Sequence, residues 1–274
     1  EGYARGITPN PDVLCNRSIK FGSFASWAFE HGADKIATGH YARIEKYGHS
    51  MSIFRGVDSN KDQSYFLWQL TEKDLARIHF PVGSLQKREV RSIAARLNLP
   101  VAKKPDSQGL CFVGHITLPE FLKLYIPLEH GAVLDESGRI IGAHDGAALY
   151  TIGQRHGFDT DAREIDSKPN YVIATSVISN TITVSNDRTK ASRHSVRIIE
   201  CSWTSVQPQL PLAVEAQVRY REKPIAATIH KDRESTEVTF SHPIIAASGQ
   251  SIVFYEGARV LGGGIIEYEL ANRV

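Results

Sequence analysis

The chain has 274 residues, 42% of them hydrophobic and 23% charged, with a formal net charge of +2. That length suits roughly two domains, and the composition is that of a globular protein with a real core. The near-balance of charge excludes a histone-like polycation but not a local basic face for RNA, and no apolar run approaches the ~20 residues that a bilayer-spanning helix needs.

The opening Glu1-Gly2-Tyr3-Ala4-Arg5-Gly6 has no apolar central stretch and is no signal peptide. There is no initiator methionine and Met51 is the only Met, so a start partway through a longer protein is expected. The turn-rich Thr8-Pro9-Asn10-Pro11-Asp12 leads into residues 13–31, where Ile19, Phe24, Trp27 and Ala28 fall at roughly helical spacing. Gly32 is placed to stop that helix. Residues 35–42 read as a strand running into a loop. A second helix is predicted over 87–98, with Val90, Ile93, Ala94 and Leu97 on one face. Strands alternating with helices predict a mostly parallel sheet with helices on both sides.

Beyond about residue 125, Gly131, Gly138, Gly142, Gly146, Gly153 and Gly157 punctuate short apolar pieces, which predicts a small strand-rich domain. Residues 171–184 alternate like a hairpin, with Ser179-Asn180 at the turn. From about residue 192 the pattern is all β. Val214, Ala216, Val218 and Tyr220 alternate with polar neighbours, similar runs follow at 225–229, 237–240 and 251–255, and short strands with no helix between them predict a small β-barrel.

Three widely spaced cysteines, Cys15, Cys111 and Cys201, suit a reducing cytoplasm better than a disulfide framework. None lies in a CxxC or at zinc-finger spacing, so no metal site is expected. In Asn10-Pro11-Asp12-Val13-Leu14-Cys15-Asn16, Asp12 can cap the following helix and Cys15 falls in its first turn. The helix dipole would lower the pKa of a thiol there, and Asp12 is near enough to move a proton beside it. Taken alone, the same residues also describe a turn with a small hydrophobe. Cys111, in Asp106-Ser107-Gln108-Gly109-Leu110-Cys111-Phe112, has Lys103 and Lys104 upstream to favour a thiolate, yet its apolar neighbours equally permit a buried, inert thiol. As a pair, one cysteine can carry sulfur as a persulfide and the other resolve it. Cys201 alternates within a β pattern and reads as packing.

Two glycine-bearing stretches are set aside. Gly262-Gly263-Gly264 has no helix after it, as a phosphate loop requires, and reads as a bend in a barrel strand. Gly56-Val57-Asp58-Ser59 lacks a preceding Ser-Gly and reads as a polar loop. Arg219-Tyr220-Arg221-Glu222-Lys223 mixes cations with an aromatic, as an RNA contact would, although charged strand faces are usually just solvated.

Together these segments closely resemble the bacterial-type tRNA-specific 2-thiouridylases. The resemblance rests on Thr8 to Asp12 through Cys15-Asn16 and Ile19-Lys20-Phe21, then Ala37-Thr38-Gly39-His40-Tyr41-Ala42-Arg43 and Lys61-Asp62-Gln63-Ser64-Tyr65-Phe66-Leu67. Ser107-Gln108-Gly109-Leu110-Cys111-Phe112, Tyr150-Thr151-Ile152-Gly153-Gln154-Arg155, and the tail from Gly249-Gln250-Ser251 to Leu261-Gly262-Gly263-Gly264 complete it. It covers essentially the whole chain, in order.

The resemblance implies an ATP-pyrophosphatase-type α/β domain (adenine nucleotide alpha-hydrolase-like) at 1–125, a small central β-rich domain at 126–188 and a tRNA-contacting C-terminal β-barrel at 189–274. It implies Mg-dependent use of ATP to adenylate the C2 oxygen of the wobble uridine in tRNAs for Glu, Gln and Lys. Cys111 resembles the cysteine that takes sulfur as a persulfide from a cysteine desulfurase or relay protein. Cys15 resembles the thiol that attacks it, leaving a Cys15–Cys111 disulfide for a reductant to reset. Asp12 matches the acid/base, with Asn10 and Pro11 shaping the base pocket. Gly39 falls at a nucleotide-contacting position, and His40, Lys61, Asp62, Gln63, Arg219, Tyr220 and Gln250 at tRNA-contacting ones. The family's Ser-Gly-Gly-x-Asp-Ser pyrophosphate loop does not precede the first block. ATP is therefore expected to bind poorly to this chain alone, with activity belonging to a complete protein. Two rival readings are a non-catalytic tRNA-binding protein and a thiol-redox enzyme that uses no RNA.

Overall fold

The computed structural model describes residues 1–104, 116–160, 168–232 and 235–267. Its first long element is a helix in three registers: α1 (Pro11–Leu14), a π-helical segment (Cys15–Phe24) and α2 (Ala25–Glu30). Asn10, not Asp12, is the N-cap. Asn10 has extended backbone and its side-chain oxygen accepts from Val13 N at 3.3 Å, while Asp12 lies one residue inside the helix behind Pro11. Asparagine caps as well as aspartate does, and proline at the first helical position forces the cap one residue earlier. The wide π register has local support. Ser23 Oγ donates to the Ser18 carbonyl five residues back, at 3.2 Å, and a Cβ on Gly22 would lie 2.8 Å from the Arg17 oxygen. Gly32, at φ +89°, follows the end of the helix.

The expected broad parallel sheet is, among the described residues, a two-stranded ladder. Strand β1 (Ile36–Ala37) pairs in parallel with a later strand at Ile78–His79. Between them, β2 (Ala42–Tyr47) and β3 (Ser50–Arg55) form a hairpin that leaves this layer altogether. Phe54 of β3 pairs with Arg259, and Arg55 N donates to the Ala258 oxygen at 2.8 Å. A short α3 (Glu72–Leu75) precedes the Ile78–His79 strand, which is β4, and α4 (Lys87–Arg96) follows it. Asp58, in the polar loop, accepts from Lys87 N at 2.9 Å and so caps α4 from outside. No residue of α4 is buried, and Leu97, expected on its covered face, is 60% exposed.

After α5 (Leu118–Lys123), the central domain is a five-stranded sheet of β5 (Gly131–Leu134), β6 (Ile140–His144), β7 (Phe158–Thr160), β8 (Tyr171–Ser176) and β9 (Thr181–Ser185). Its order is β7-β6-β5-β9-β8, with β5 and β9 parallel. The β8–β9 hairpin turns at Asn180, at φ +49°, a left-handed position that asparagine tolerates.

The C-terminal barrel comprises β10 (Arg193–Trp203), β11 (Leu212–Gln217), β12 (Ile225–Asp232), β13 (Ser235–Ile244), β14 (Ser251–Glu256) and β15 (Arg259–Glu267). The order β10-β13-β12-β11-β14-β15 closes because β10 also pairs with β15. Gly262 to Gly264 lie inside β15, as a bend in a barrel strand would, beside a register shift that leaves Leu261 unpaired between Val260 and Gly262. A Cβ on Gly262 would lie 2.2 Å from the Ser202 oxygen, and one on Gly263 would lie 2.8 Å from the Trp68 ring. These glycines let the strand approach its neighbours closely.

One hydrophobic core fills the barrel around Ile229, Val238 and Phe254. A second joins Trp68, Tyr65 and Leu67 of the N-terminal segment to Val253, Tyr255 and Val260 of the barrel. The two regions thus share buried surface, which resists hinge motion between them.

Candidate functional site

The turn before α1 is held from three directions at Thr8. Its backbone N–H donates to the Ser248 oxygen at 3.0 Å, its carbonyl accepts from Gln250 Nε2 at 2.8 Å, and its hydroxyl meets that of Thr151 at 2.8 Å. Barrel and central domain therefore both grip the residues leading to Asn10, Pro11, Asp12 and Cys15. The next helical residue, Asn16, donates to the Phe66 oxygen at 3.1 Å.

Asp12 and Cys15 are both half-buried. Burial raises the Asp12 carboxyl above the ordinary carboxylate range, and the positive charge of Lys20 opposes that rise. A carboxyl so placed is a candidate for proton exchange with a neighbouring group. Lys20 also faces His40. Burial first, and Lys20 second, push the His40 imidazole down to about 4, so the ring is neutral under physiological conditions. It packs between Phe21 and Phe80, with ring centroids at 5.7 and 5.6 Å, and Nδ1 meets the Thr38 hydroxyl at 2.7 Å. Gly39, between them, has nothing within 4 Å of where a Cβ would stand. That open backbone lies just beyond the carboxyl end of β1, where α/β sheets bind ligands.

The Lys61-Asp62-Gln63 turn is built differently from a simple charged loop. The Asp62 carboxylate is buried and accepts from Gly56 N at 2.9 Å, Ser64 N at 3.1 Å, Ser64 Oγ at 3.0 Å and Arg55 Nη1 at 3.0 Å. Gln63 brackets Tyr41, accepting from its N–H at 3.0 Å and donating its own N–H to the Tyr41 oxygen at 2.9 Å. Lys61 sits half-exposed at the corner of the turn. Across the barrel seam, Tyr220 packs on Phe66 at 4.5 Å, and Arg219 Nη2 donates to the Ile152 oxygen at 2.7 Å.

The structure thus groups the candidates into two neighbouring patches. Asn10, Pro11, Asp12 and Cys15 form one, with Thr8 and Gln250 behind them. Lys61 to Gln63 and Arg219-Tyr220 form the other, joined through the Tyr65-Phe66 turn. The side chains of Asp62, Gln63, Arg219 and Gln250 are each held by other parts of the fold. Cys111 lies outside the described residues. Cys201 lies on the β10 bulge beside Glu200, which pairs with Arg17 at 3.5 Å. Although the residue has exposed surface, packing around its sulfur pushes the thiol up to about 11, as expected of an unreactive cysteine.

Three residues at the centre of the second patch went unnoticed in sequence: Arg55, Gln217 and Tyr255. Each is a single residue in an alternating strand, without a motif to mark it.

Comparison with known proteins is consistent along the chain. Residues 1–115 match the tRNA methyl transferase HUP domain, 119–186 the tRNA methyl transferase PRC-barrel domain, and 193–266 the aminomethyltransferase beta-barrel domain. The chain is 41% identical to the tRNA-specific 2-thiouridylase MnmA of Vesicomyosocius okutanii, over 97% of this chain and 75% of that protein. It is likewise 41% identical to the Listeria welshimeri protein of that name, over 97% of this chain and 72% of that one. With the Yersinia pestis (strain Pestoides F) protein of that name the identity is 42%, over 98% and 75%.

Proposed function

This chain belongs to the tRNA-specific 2-thiouridylase family, and from that membership we propose that it acts in the 2-thiolation of the wobble uridine in tRNAs for Glu, Gln and Lys. The observation that carries the reading is the Asn10–Cys15 turn. It presents a half-buried thiol three residues from a half-buried carboxyl of raised pKa, on a backbone gripped by Gln250 and Thr151.

In this reading the target base is splayed out of the anticodon loop against Asn10 and Pro11. ATP, with Mg, would convert the C2 oxygen of uridine into a leaving group, and the open backbone at Gly39 supports a nucleotide beside it. Asp12 exchanges the proton at the base. Cys111 holds the incoming sulfur as a persulfide, supplied by a cysteine desulfurase or relay protein. The Cys15 thiolate attacks the inner sulfur of Cys111, the persulfide S–S bond breaks, and hydrosulfide leaves to attack C2, where the C–O bond would break and the activated oxygen depart with AMP. A Cys15–Cys111 disulfide remains, and an external dithiol reduces it, as a reducing cytoplasm allows. Lys61, Tyr220 and Arg221 are the groups with surface left for RNA, the cations for phosphate and the ring for a base.

The test is made in the native gene. Cys15→Ser and Cys111→Ser are introduced separately and 2-thiouridine in total tRNA is quantified by mass spectrometry. Loss of the modified nucleoside in both, with other tRNA modifications intact, is expected. An unchanged level in either removes that cysteine from the mechanism.

A further inference from the structure

A chain of partly buried polar contacts joins the Lys61–Gln63 turn to the Arg219-Tyr220 turn, through residues that neither motif contains. The Arg55 guanidinium lies over the Tyr255 ring, 3.6 Å from its centroid. From there it donates through Nη1 to Asp62 Oδ2 and through Nη2 to Gln217 Oε1, each at 3.0 Å. The Gln217 amide then donates through Nε2 to the Arg219 oxygen at 3.0 Å. Ser64 Oγ, which donates to Asp62, also meets the Tyr255 hydroxyl at 3.3 Å. Gln217, Tyr255 and Asp62 are buried.

This arrangement is more specific than stability requires. An arginine that merely neutralised Asp62 could point its second fork into solvent. Here the planar fork sits over an aromatic ring and spans two different segments, a geometry for which lysine is no substitute. Gln217 uses its amide from both ends, accepting on one side and donating on the other, so its orientation is set by its neighbours. The partners it links are the backbone of the 219–220 turn and the carboxylate that shapes the 61–63 turn.

We propose that Arg55 and Gln217 are positioning residues that set the spacing between the two RNA-facing turns, so that Lys61 and Tyr220 meet one tRNA in register. This rests on the reading under which those turns contact tRNA. Neither residue touches the reacting atoms, so its effect falls on tRNA recognition and not on the chemical step.

The experiment uses the protein expressed from its native gene, with steady-state thiolation measured across tRNA concentrations. Gln217→Met keeps the volume and removes both hydrogen bonds. Arg55→Lys keeps the charge for Asp62 but cannot span to Gln217, and it is read in the same way should Gln217→Met fail to fold. Each is expected to raise KM for tRNA by about tenfold, the equivalent of one or two hydrogen bonds, with kcat at saturating tRNA within about twofold of wild type. A merely structural role would lower the active fraction, and hence kcat, at unchanged KM; that result overturns the proposal. Tyr220→Ala is the control for the underlying reading. If it weakens tRNA binding while the folded positioning variants do not, the positioning role alone fails. If it has no effect either, the assignment of the turns to RNA fails and the proposal falls with it.

Discussion

Gln250 Nε2 donates to the carbonyl oxygen of Thr8 at 2.8 Å, joining residues 242 positions apart. The bond holds the backbone just before the Asn10–Cys15 turn against the barrel. Gln250→Ala would leave the Thr8 oxygen without this donor, at a cost of about 1 kcal/mol. We expect thiolation to fall by more than the loss of folded protein explains, with Gln250→Glu worse than alanine because a carboxylate would face a carbonyl. Thermal unfolding and thiolation rates, measured side by side, check this; parallel losses would reduce Gln250 to a structural role.

The neighbouring Gly249 is needed at the same contact. It has φ +87°, and a Cβ there would lie 2.4 Å from Ile7 Cγ2 and 2.8 Å from the Thr8 oxygen. Gly249→Ala is expected to destabilise the protein by about 1–3 kcal/mol, measured by urea unfolding. A neutral result would mean that the barrel does not press on this segment in solution.

Asn10 caps the helix through its side-chain oxygen. Asn10→Ala should cost about 1–2 kcal/mol. Asn10→Asp should recover most of that loss, since its oxygen can still accept from Val13 N. Denaturant midpoints of the three proteins order these contributions, and an aspartate variant no better than alanine would contradict the capping assignment.

His40 predicts a pH dependence. Burial holds its folded pKa near 4 against 6.5 for the ordinary group, so between these values the unfolded chain binds the extra proton and folding must give it up. The stability is full above about pH 6.5 and declines as pH falls towards 4, by about 1.4 kcal/mol for each pH unit separating the two values. His40→Phe keeps the ring between Phe21 and Phe80 and removes the titration. The wild type should therefore lose more stability than the variant between pH 6.5 and 4; equal losses would show that His40 is solvated.

Cys201, with its thiol held near 11, should alkylate slowly with iodoacetamide at pH 8 in the folded protein and readily in urea. Cys201→Ser should leave 2-thiouridine levels unchanged. Equal alkylation in both states would mean that the sulfur is open to solvent.

Much of this architecture is legible in local patterns. The β8–β9 turn shows in Ser179-Asn180 and the barrel in the alternation around Val214 to Val218. The helix after Pro11 is expected from Ile19, Phe24 and Trp27, but these lie on its exposed side, and Val13, Phe21, Ala25 and Ala28 are what it buries. Local patterns also mislead where a competing local choice is nearly equal, as when Asp12 seems to be the cap that Asn10 in fact provides. Gly262 to Gly264 show only that small residues are required, and the crowding of Ser202 and Trp68 supplies the reason.

Taken by itself, the sequence determined the order of elements, the candidate thiols and carboxyl, and the family, because periodicity and contiguous motifs are properties of neighbouring residues. Only the tertiary structure decided that the β2–β3 hairpin joins the barrel, that Asp62 turns inward to Arg55, and that Arg219 and Gln250 grip the central domain and the Thr8 segment. Those outcomes depend on which distant donors and acceptors meet once water is excluded. A buried carboxylate or carbonyl must find a partner wherever the fold brings one, and no spacing along the chain records that choice.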